Sequence, residues 1–288
     1  MKYAAIDKYR GEYHVTLMCR VLAIGRSGYY KWIHKDVSKR AKRRKQLEEL
    51  IKETYEDFEA RYGARRIAEE LNALGYSCSE NLVAKIMQEN DIKAHNGKGF
   101  KYSRHALAMN NVSENLLWRN FDSDELNQKW TSDITYIWVK NKWMYLATVM
   151  DLCSRKIVGW ALGPTMTEKL IIQALETAVA RRGRVEGVIL HSDRGSQYRA
   201  QKYIDFARSH GCVLSMSRKG NCWDNAPMES FFSRLKVELI YAKNYQSVEE
   251  VKAGVFEYIE IFYNRKRRHS AIGYMSPAEY EEQLALVA

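Results

Sequence analysis

Val188-Ile-Leu-His-Ser-Asp-Arg-Gly-Ser-Gln-Tyr198 is the stretch on which the fold of this chain turns. It starts as a short apolar strand and ends in an acid, Asp193. Arg194-Gly195-Ser196 then bend the chain away. A carboxylate at the carboxyl end of a buried strand stands where open α/β sheets hold their ligands. The competing reading is the ordinary task of an Asp after a strand, capping the helix that follows. The segments on either side weigh between the two.

Downstream, residues 200–210 have helical spacing, Val213-Leu-Ser-Met216 reads as a strand, and residues 226–241 read as a helix. Upstream, Lys129-Trp-Thr-Ser-Asp-Ile-Thr-Tyr-Ile-Trp-Val139 is rich in β-branched and aromatic residues and predicts a strand. Asn141-Lys142 reads as a turn into a second strand over 143–150. A third strand follows over 156–162, and a helix over 167–182. Short connections make the three strands an antiparallel meander. The order βββαβαβα predicts an α/β domain built on a mixed five-stranded sheet.

The chain has 288 residues, a net charge of +11 and a pI of about 9.3, which suits a polyanionic partner. The charge is uneven: residues 1–110 carry 22 Lys and Arg against 14 Asp and Glu, and the remainder 24 against 21. Residues 1–45 read as a small helical unit, with helical spacing over 15–24, a break at Gly25 and a restart over 27–33, in helix-turn-helix proportions. The basic run Lys39–Lys45 follows. Residues 46–92 form a second such unit: an amphipathic helix over 46–60, then two helices separated by Gly75, the second starting near Ser79. Arg65, Arg66 and Lys85 are its candidate phosphate contacts. Residues 93–120 read as a basic linker, with Lys98, Lys101, Arg104 and His105 able to follow a nucleic-acid backbone. The α/β core spans 121–242. A helical extension over 243–288 carries the basic patch Arg265-Lys266-Arg267-Arg268 and a last helix opened by Ser276-Pro277. The five cysteines are scattered and form no zinc-finger spacing, which reads as reduced thiols in a cytoplasmic protein. No signal peptide and no membrane-length apolar run is present.

Three carboxylates stand out against this layout. Asp133 lies within the first strand among Trp, Ile, Tyr and Val, where an uncompensated acid is costly. Asp193 ends the fourth strand, and Glu229 lies in the first turn of the helix after Asn225-Ala-Pro227, with 35 residues between the two. Neighbouring first and fourth strands would bring Asp133 and Asp193 together, and the last core helix would bring Glu229 to the same edge. Hard oxygen donors without His or Cys favour Mg²⁺, with Mn²⁺ as substitute, over zinc. Two such ions about 3.5–4 Å apart would serve phosphodiester chemistry. Asp151 and Asp224 are read as cap or turn residues, Asn225 as the cap of the Glu229 helix, and His191 and Gln197 as DNA or water contacts.

Trp130-Thr-Ser-Asp133-Ile-Thr-Tyr, His191-Ser-Asp193-Arg-Gly-Ser-Gln-Tyr and Asn225-Ala-Pro-Met-Glu229-Ser-Phe-Phe resemble the D, D-35-E signature of the retroviral-integrase superfamily. With Cys19–Trp32, Tyr62-Gly-Ala-Arg-Arg-Ile67 and Tyr263–His269, they are similar to the second-frame product of two-reading-frame transposases, the insertion sequence three family. The resemblance covers nearly the whole chain. It implies a ribonuclease-H-like core, a DDE transposase that cleaves and joins DNA strands at the ends of a mobile element, and catalysis by Asp133, Asp193 and Glu229. It implies a role for Lys236, seven residues after the Glu, in contacting the terminal DNA strand. Implied partners are double-stranded DNA, a second copy of the chain or a higher oligomer on DNA, and the product of an upstream frame. The implied location is the nucleoid. The competing reading is a DNA-binding regulator that lacks activity without the upstream-frame product.

Overall fold

The strand that carries Asp133 sits in the middle of the sheet. The computed structural model describes residues 1–34, 38–95, 112–183, 185–218 and 221–287. The strands are β1 (Lys129–Val139), β2 (Lys142–Asp151), β3 (Ile157–Gly163), β4 (Ile189–Ser192) and β5 (Val213–Met216), in the order β3-β2-β1-β4-β5. β1 is antiparallel to β2 and parallel to β4, β2 is antiparallel to β3, and β4 is parallel to β5. This is the mixed five-stranded sheet of a ribonuclease-H-like core. The β1–β2 turn lies one residue earlier than expected, at Lys140-Asn141, with φ of 40° and 65°. Two central residues with positive φ match the twist of the flanking strands.

Each sheet face has its own core. On one, Trp130, Ala147, Val149 and Val158 pack with Leu170, Ile171, Ala174 and Leu175 of α7 (Glu168–Arg182) and with Tyr203 and Ala207 of α8 (Gln201–Ser209). Gly159 makes the closeness of α7 possible: a Cβ there would lie 2.1 Å from the Ala174 carbonyl oxygen. On the other, Ile137, Val139, Leu146 and Met150 pack under α9 (Ala226–Leu235) and α10 (Val248–Phe256). Both of these helices continue in π-helical turns, Lys236–Ile240 and Glu257–Tyr263, where a single long α-helix was expected each time.

The second face is shared with the amino-terminal half. α4 (Lys39–Asp57), α5 (Ala64–Ala73) and α6 (Glu80–Glu89) contribute Leu47, Ile51, Ile67, Leu71, Val83 and Ile86 to the same cluster. α4 is longer than its amphipathic part. Ser38 Oγ accepts from Ala41 N at 3.2 Å, so the helix starts there and takes in the basic run. A smaller separate cluster, Ile6, Cys19 and Tyr29, holds α1 (Lys2–Tyr9), α2 (Val15–Val21) and α3 (Arg26–Ile33) together. The first of these helices has no counterpart in the sequence reading. At the far end, Ser276 and Glu279 cap α11 (Pro277–Val287) reciprocally: Ser276 N donates to Glu279 Oε2 at 2.7 Å and Glu279 N to Ser276 Oγ at 3.3 Å. No described helix is long and apolar enough to cross a membrane.

Candidate active site

The geometry begins with the parallel ladder between β1 and β4, which ends at the pair Ser132 and Ser192. The next residue of each strand is an acid, Asp133 and Asp193. Parallel pairing therefore delivers the two carboxylates side by side at the edge where β4 stops. α9 packs against β1, and the Thr131 hydroxyl donates to Asn225 Oδ1 just ahead of that helix. Glu229, in the first turn of α9, lies near enough for its charge to act on Asp133.

The electrostatics report this proximity. Burial pushes the Asp133 carboxyl well up, and the charges of Asp193 and then Glu229 push it further. The Ile134 amide, donating to Asp133 Oδ1 at 2.7 Å, and the Lys236 ammonium oppose the rise without cancelling it. Asp193 is exposed to solvent. Partial desolvation raises its pKa, against the Gly195 amide at 2.8 Å and the charge of Arg199. The bond to Gly195 N also answers the capping question. Asp193 Oδ1 closes the turn after β4, whereas α8 starts later, after Ala200.

Lys236 belongs to the same cluster. It is buried, its ammonium lies 4.5 Å from the centre of the Tyr136 ring, and burial lowers its pKa while the charge of Asp133 raises it. Carboxylates whose charges bear on Asp133, with no His or Cys among them, suit a hard divalent cation. Among the described residues no three His, Cys, Asp or Glu side chains gather tightly enough to enclose an ion.

Several residues singled out in the sequence have structural work instead. His191 is fully buried between Ser215 Oγ at 2.8 Å and Ser217 Oγ at 3.1 Å, so it does not touch DNA, and burial lowers its pKa to about 4. Gln197 donates to the Met166 carbonyl at 3.1 Å. Asn225 makes no side-chain cap; its oxygen serves Thr131, and its buried Nδ2 has no protein partner. Asp151 accepts from the amides of Asn127 and Cys153 at 2.9 and 3.0 Å, the turn role expected of it.

Asp224 does more than hold a turn. It is wholly buried and accepts from Arg218 N, Nε and Nη2, from Arg119 Nε and from Asn115 Nδ2, all at 2.9–3.0 Å. Hydrogen bonds from Arg218 hold its carboxyl far below the usual range. This ties residues 115–119 to the segment before Glu229. Nothing local marks Asn115 or Arg119 for this, because their partner lies about a hundred positions away. Lys98, Lys101, Arg104 and His105 lie outside the described residues.

The basic candidates divide. Arg267 is buried, and its Nε and Nη2 donate to Glu238 at 3.0 and 2.8 Å. Arg268 donates to both oxygens of Glu70 and to the Tyr274 carbonyl. Arg66 Nε donates to the Arg268 carbonyl at 3.1 Å. These three guanidiniums join the carboxy-terminal extension to α5 and to the core, a role their sequence context does not signal. Arg65, Arg265 and Lys266 are exposed.

Comparison with known proteins shows the family. Residues 123–222 and 229–284 each match a family described as integrase core domain, and residues 42–98 match an HTH-like domain. The chain is 41% identical over 288 residues to the transposase InsF for insertion sequence IS3A of Escherichia coli, covering 98% of this chain and 99% of that one. This chain belongs to the IS3 family of insertion-sequence transposases. As a transposase of the integrase superfamily it is a DNA-cleaving enzyme. It is also 38% identical over 266 residues to the IS600 uncharacterized 31 kDa protein of Shigella sonnei, covering 92% and 98% of the two chains. Among solved structures it is similar to a simian T-cell lymphotropic virus intasome chain, at 15% identity and a TM-score of 0.46 over 76% of this chain and 74% of that one. It is also similar to the catalytic core of BIV integrase, at 20% identity and 0.41 over 56% and 97%.

Proposed function

We propose that this transposase cuts the ends of its mobile element and joins the freed 3′-hydroxyl to a second phosphodiester, with Asp133, Asp193 and Glu229 as the catalytic carboxylates. The observation that carries this is electrostatic: at the end of β4 the charges of Asp193 and Glu229 bear on Asp133 and raise its pKa. Lys236 and Arg199 offset these like charges only in part, since the pKa values of Asp133 and Asp193 stay raised, and a divalent cation suits such a group. The three carboxylates would hold Mg²⁺ (Mn²⁺ as substitute), in two ions. Bound there, the metal would supply Lewis acidity at the attacking and leaving oxygens of the phosphodiester. Lys236 would contact the terminal strand beside the acids. Arg65, Arg265 and Lys266 would hold the duplex by its phosphates.

The division of labour proposed is a helical DNA-binding region over 1–45 and 46–92, a linker over 93–120, a catalytic core over 121–242 and an extension over 243–288. α4 crosses residue 45, so the first two parts meet along one helix. A homodimer or larger assembly on DNA, an association with an upstream-frame product and a place at the nucleoid complete the reading.

The test is a labelled element-end oligonucleotide with Mg²⁺ or Mn²⁺. Wild type should nick the end or join it to target, and Asp193→Asn and Glu229→Gln should bind it without cutting. Strand cutting that persists in both variants overturns the assignment. Binding without cutting by wild type, with either metal and with the upstream-frame product added, would instead mark a regulator.

A further inference from the structure

β1 runs beyond its partner. β4 pairs with it only through Ser132, so residues 133–139 have β2 on one side and no β4 on the other. Along this overhang Tyr136 and Trp138 alternate, and both are exposed, as is Trp143 on β2 (45%, 52% and 46%). Trp138 and Trp143 are register partners, with ring centres 4.7 Å apart; Tyr136 meets Trp143 edge-on at 5.1 Å. Exposing three large rings together is costly in water, and nothing in the sheet requires it. Exposed Lys140 and Lys142 flank them at the hairpin tip. At the other end, Lys236 lies over Tyr136 and interacts with Asp133, so it links the nearest ring to the carboxylate cluster around the free edge of β1. Tyr136 and Trp138 stand three and five residues from Asp133, so they leave β1 on the opposite face, roughly 10 and 17 Å along the strand.

We propose that the β1–β2 hairpin is a stacking platform for unpaired nucleotides at the end of the DNA held in the active site. It rests on the strand-transfer reading above and adds the form of the substrate, a duplex end with an unstacked tail. Rings with lysines at both ends fit bases with phosphates between them, a combination that binds single strands with little regard to sequence.

The test measures binding by the full-length chain without divalent metal, so that no cutting intervenes. The probes are a blunt duplex and the same duplex with a single-stranded tail of about three nucleotides containing 2-aminopurine. Wild type should prefer the tailed duplex and quench the 2-aminopurine. Trp138→Ala with Trp143→Ala should weaken tailed binding by roughly 5- to 50-fold and leave blunt binding within about twofold. Trp138→Phe with Trp143→Phe should keep the preference, which separates lost stacking from a lost fold. Equal losses on both probes in the alanine variant, or no loss on either, overturn the platform. So does a tail preference that survives while sedimentation shows a changed oligomeric state, which would make the rings a protein interface. Strand cutting by Asp193→Asn, measured in parallel, would sink the catalytic reading separately, whatever the tail experiment gives.

Discussion

Replacing Arg267 with alanine tests whether this residue of the basic patch reads DNA or builds the fold. Arg267 and Glu238 are both buried, joined by two hydrogen bonds, and Tyr258 donates a third to Glu238 at 2.8 Å. Burial alone would raise the Glu238 pKa, but the Arg267 hydrogen bonds and charge, with the Tyr258 bond, leave it below the ordinary value of 4.5. Arg267→Ala removes the cation and leaves a buried carboxylate with one donor, which costs about 3–5 kcal/mol. The fold can escape part of this by protonating Glu238. At pH 7 that costs about 1.4 kcal/mol per unit over roughly 2.5 units, or about 3.5 kcal/mol, which sets the loss near the lower half of the range. For a chain of this size the melting temperature should fall by roughly 7–14 °C.

The escape route has a sign. A carboxylate whose folded pKa is depressed stabilises above its unfolded pKa, and that contribution is lost as pH falls through the folded value. Wild type therefore loses the ion pair's contribution below about pH 4.5, and the gap between wild type and Arg267→Ala should shrink to about 1 kcal/mol by pH 5. Urea unfolding at both pH values, with scanning fluorimetry, measures it. Pairing Arg267→Met with Glu238→Gln removes both charges and keeps an acceptor for Tyr258, so most of the stability should return. Arg265→Ala, two residues away and exposed, should leave stability unchanged and reduce the salt slope of DNA binding by about 1. An Arg267→Ala protein with wild-type stability and weakened DNA binding would refute the structural assignment.

Asp133→Asn should raise stability at pH 7.5 by on the order of 1 kcal/mol, because a carboxylate with a raised folded pKa destabilises the fold once pH exceeds its unfolded value. The gain should vanish below about pH 4, and thermal melts across pH would reveal it. His191 is held neutral, with a pKa of about 4 against 6.5 unfolded, so wild type should lose stability as pH falls between those values, by up to about 3 kcal/mol. His191→Gln should flatten that part of the pH profile, and an unchanged profile in urea titrations would count against the buried neutral imidazole. Gly159→Ala should cost about 3 kcal/mol in urea unfolding, because the new methyl meets the Ala174 carbonyl and the Ala178 amide at 2.1 and 2.7 Å.

Much of the site is local and could be read directly. Alternation in Lys129–Val139, the apolar run into Asp193 and the serine-capped helix starts at Ser79 and Ser276 depend on neighbours within a few residues. Backbone hydrogen bonding and side-chain periodicity act at that range. The misplaced turn at Lys140-Asn141 and the overlooked helix Lys2–Tyr9 are also local, but weakly signalled. The latter has no capping side chain and buries only Ile6.

The partners of charged side chains are a different matter. Arg265, Lys266, Arg267 and Arg268 form one basic run in the chain, yet two face solvent and two close ion pairs with Glu238 and Glu70. Which does which depends on where the π-helical end of one helix presents each side chain to elements up to about two hundred residues away. The local sequence around Asp193 allows a cap or a ligand, and its spacing from Glu229 with the family resemblance favours the ligand; the parallel pairing of β1 with β4 sets it beside Asp133, and the turn uses one of its oxygens. Composition and spacing state which charges a chain carries. Burial and long-range pairing determine which of them remain available for chemistry, because a charge enclosed by protein must be satisfied by the fold.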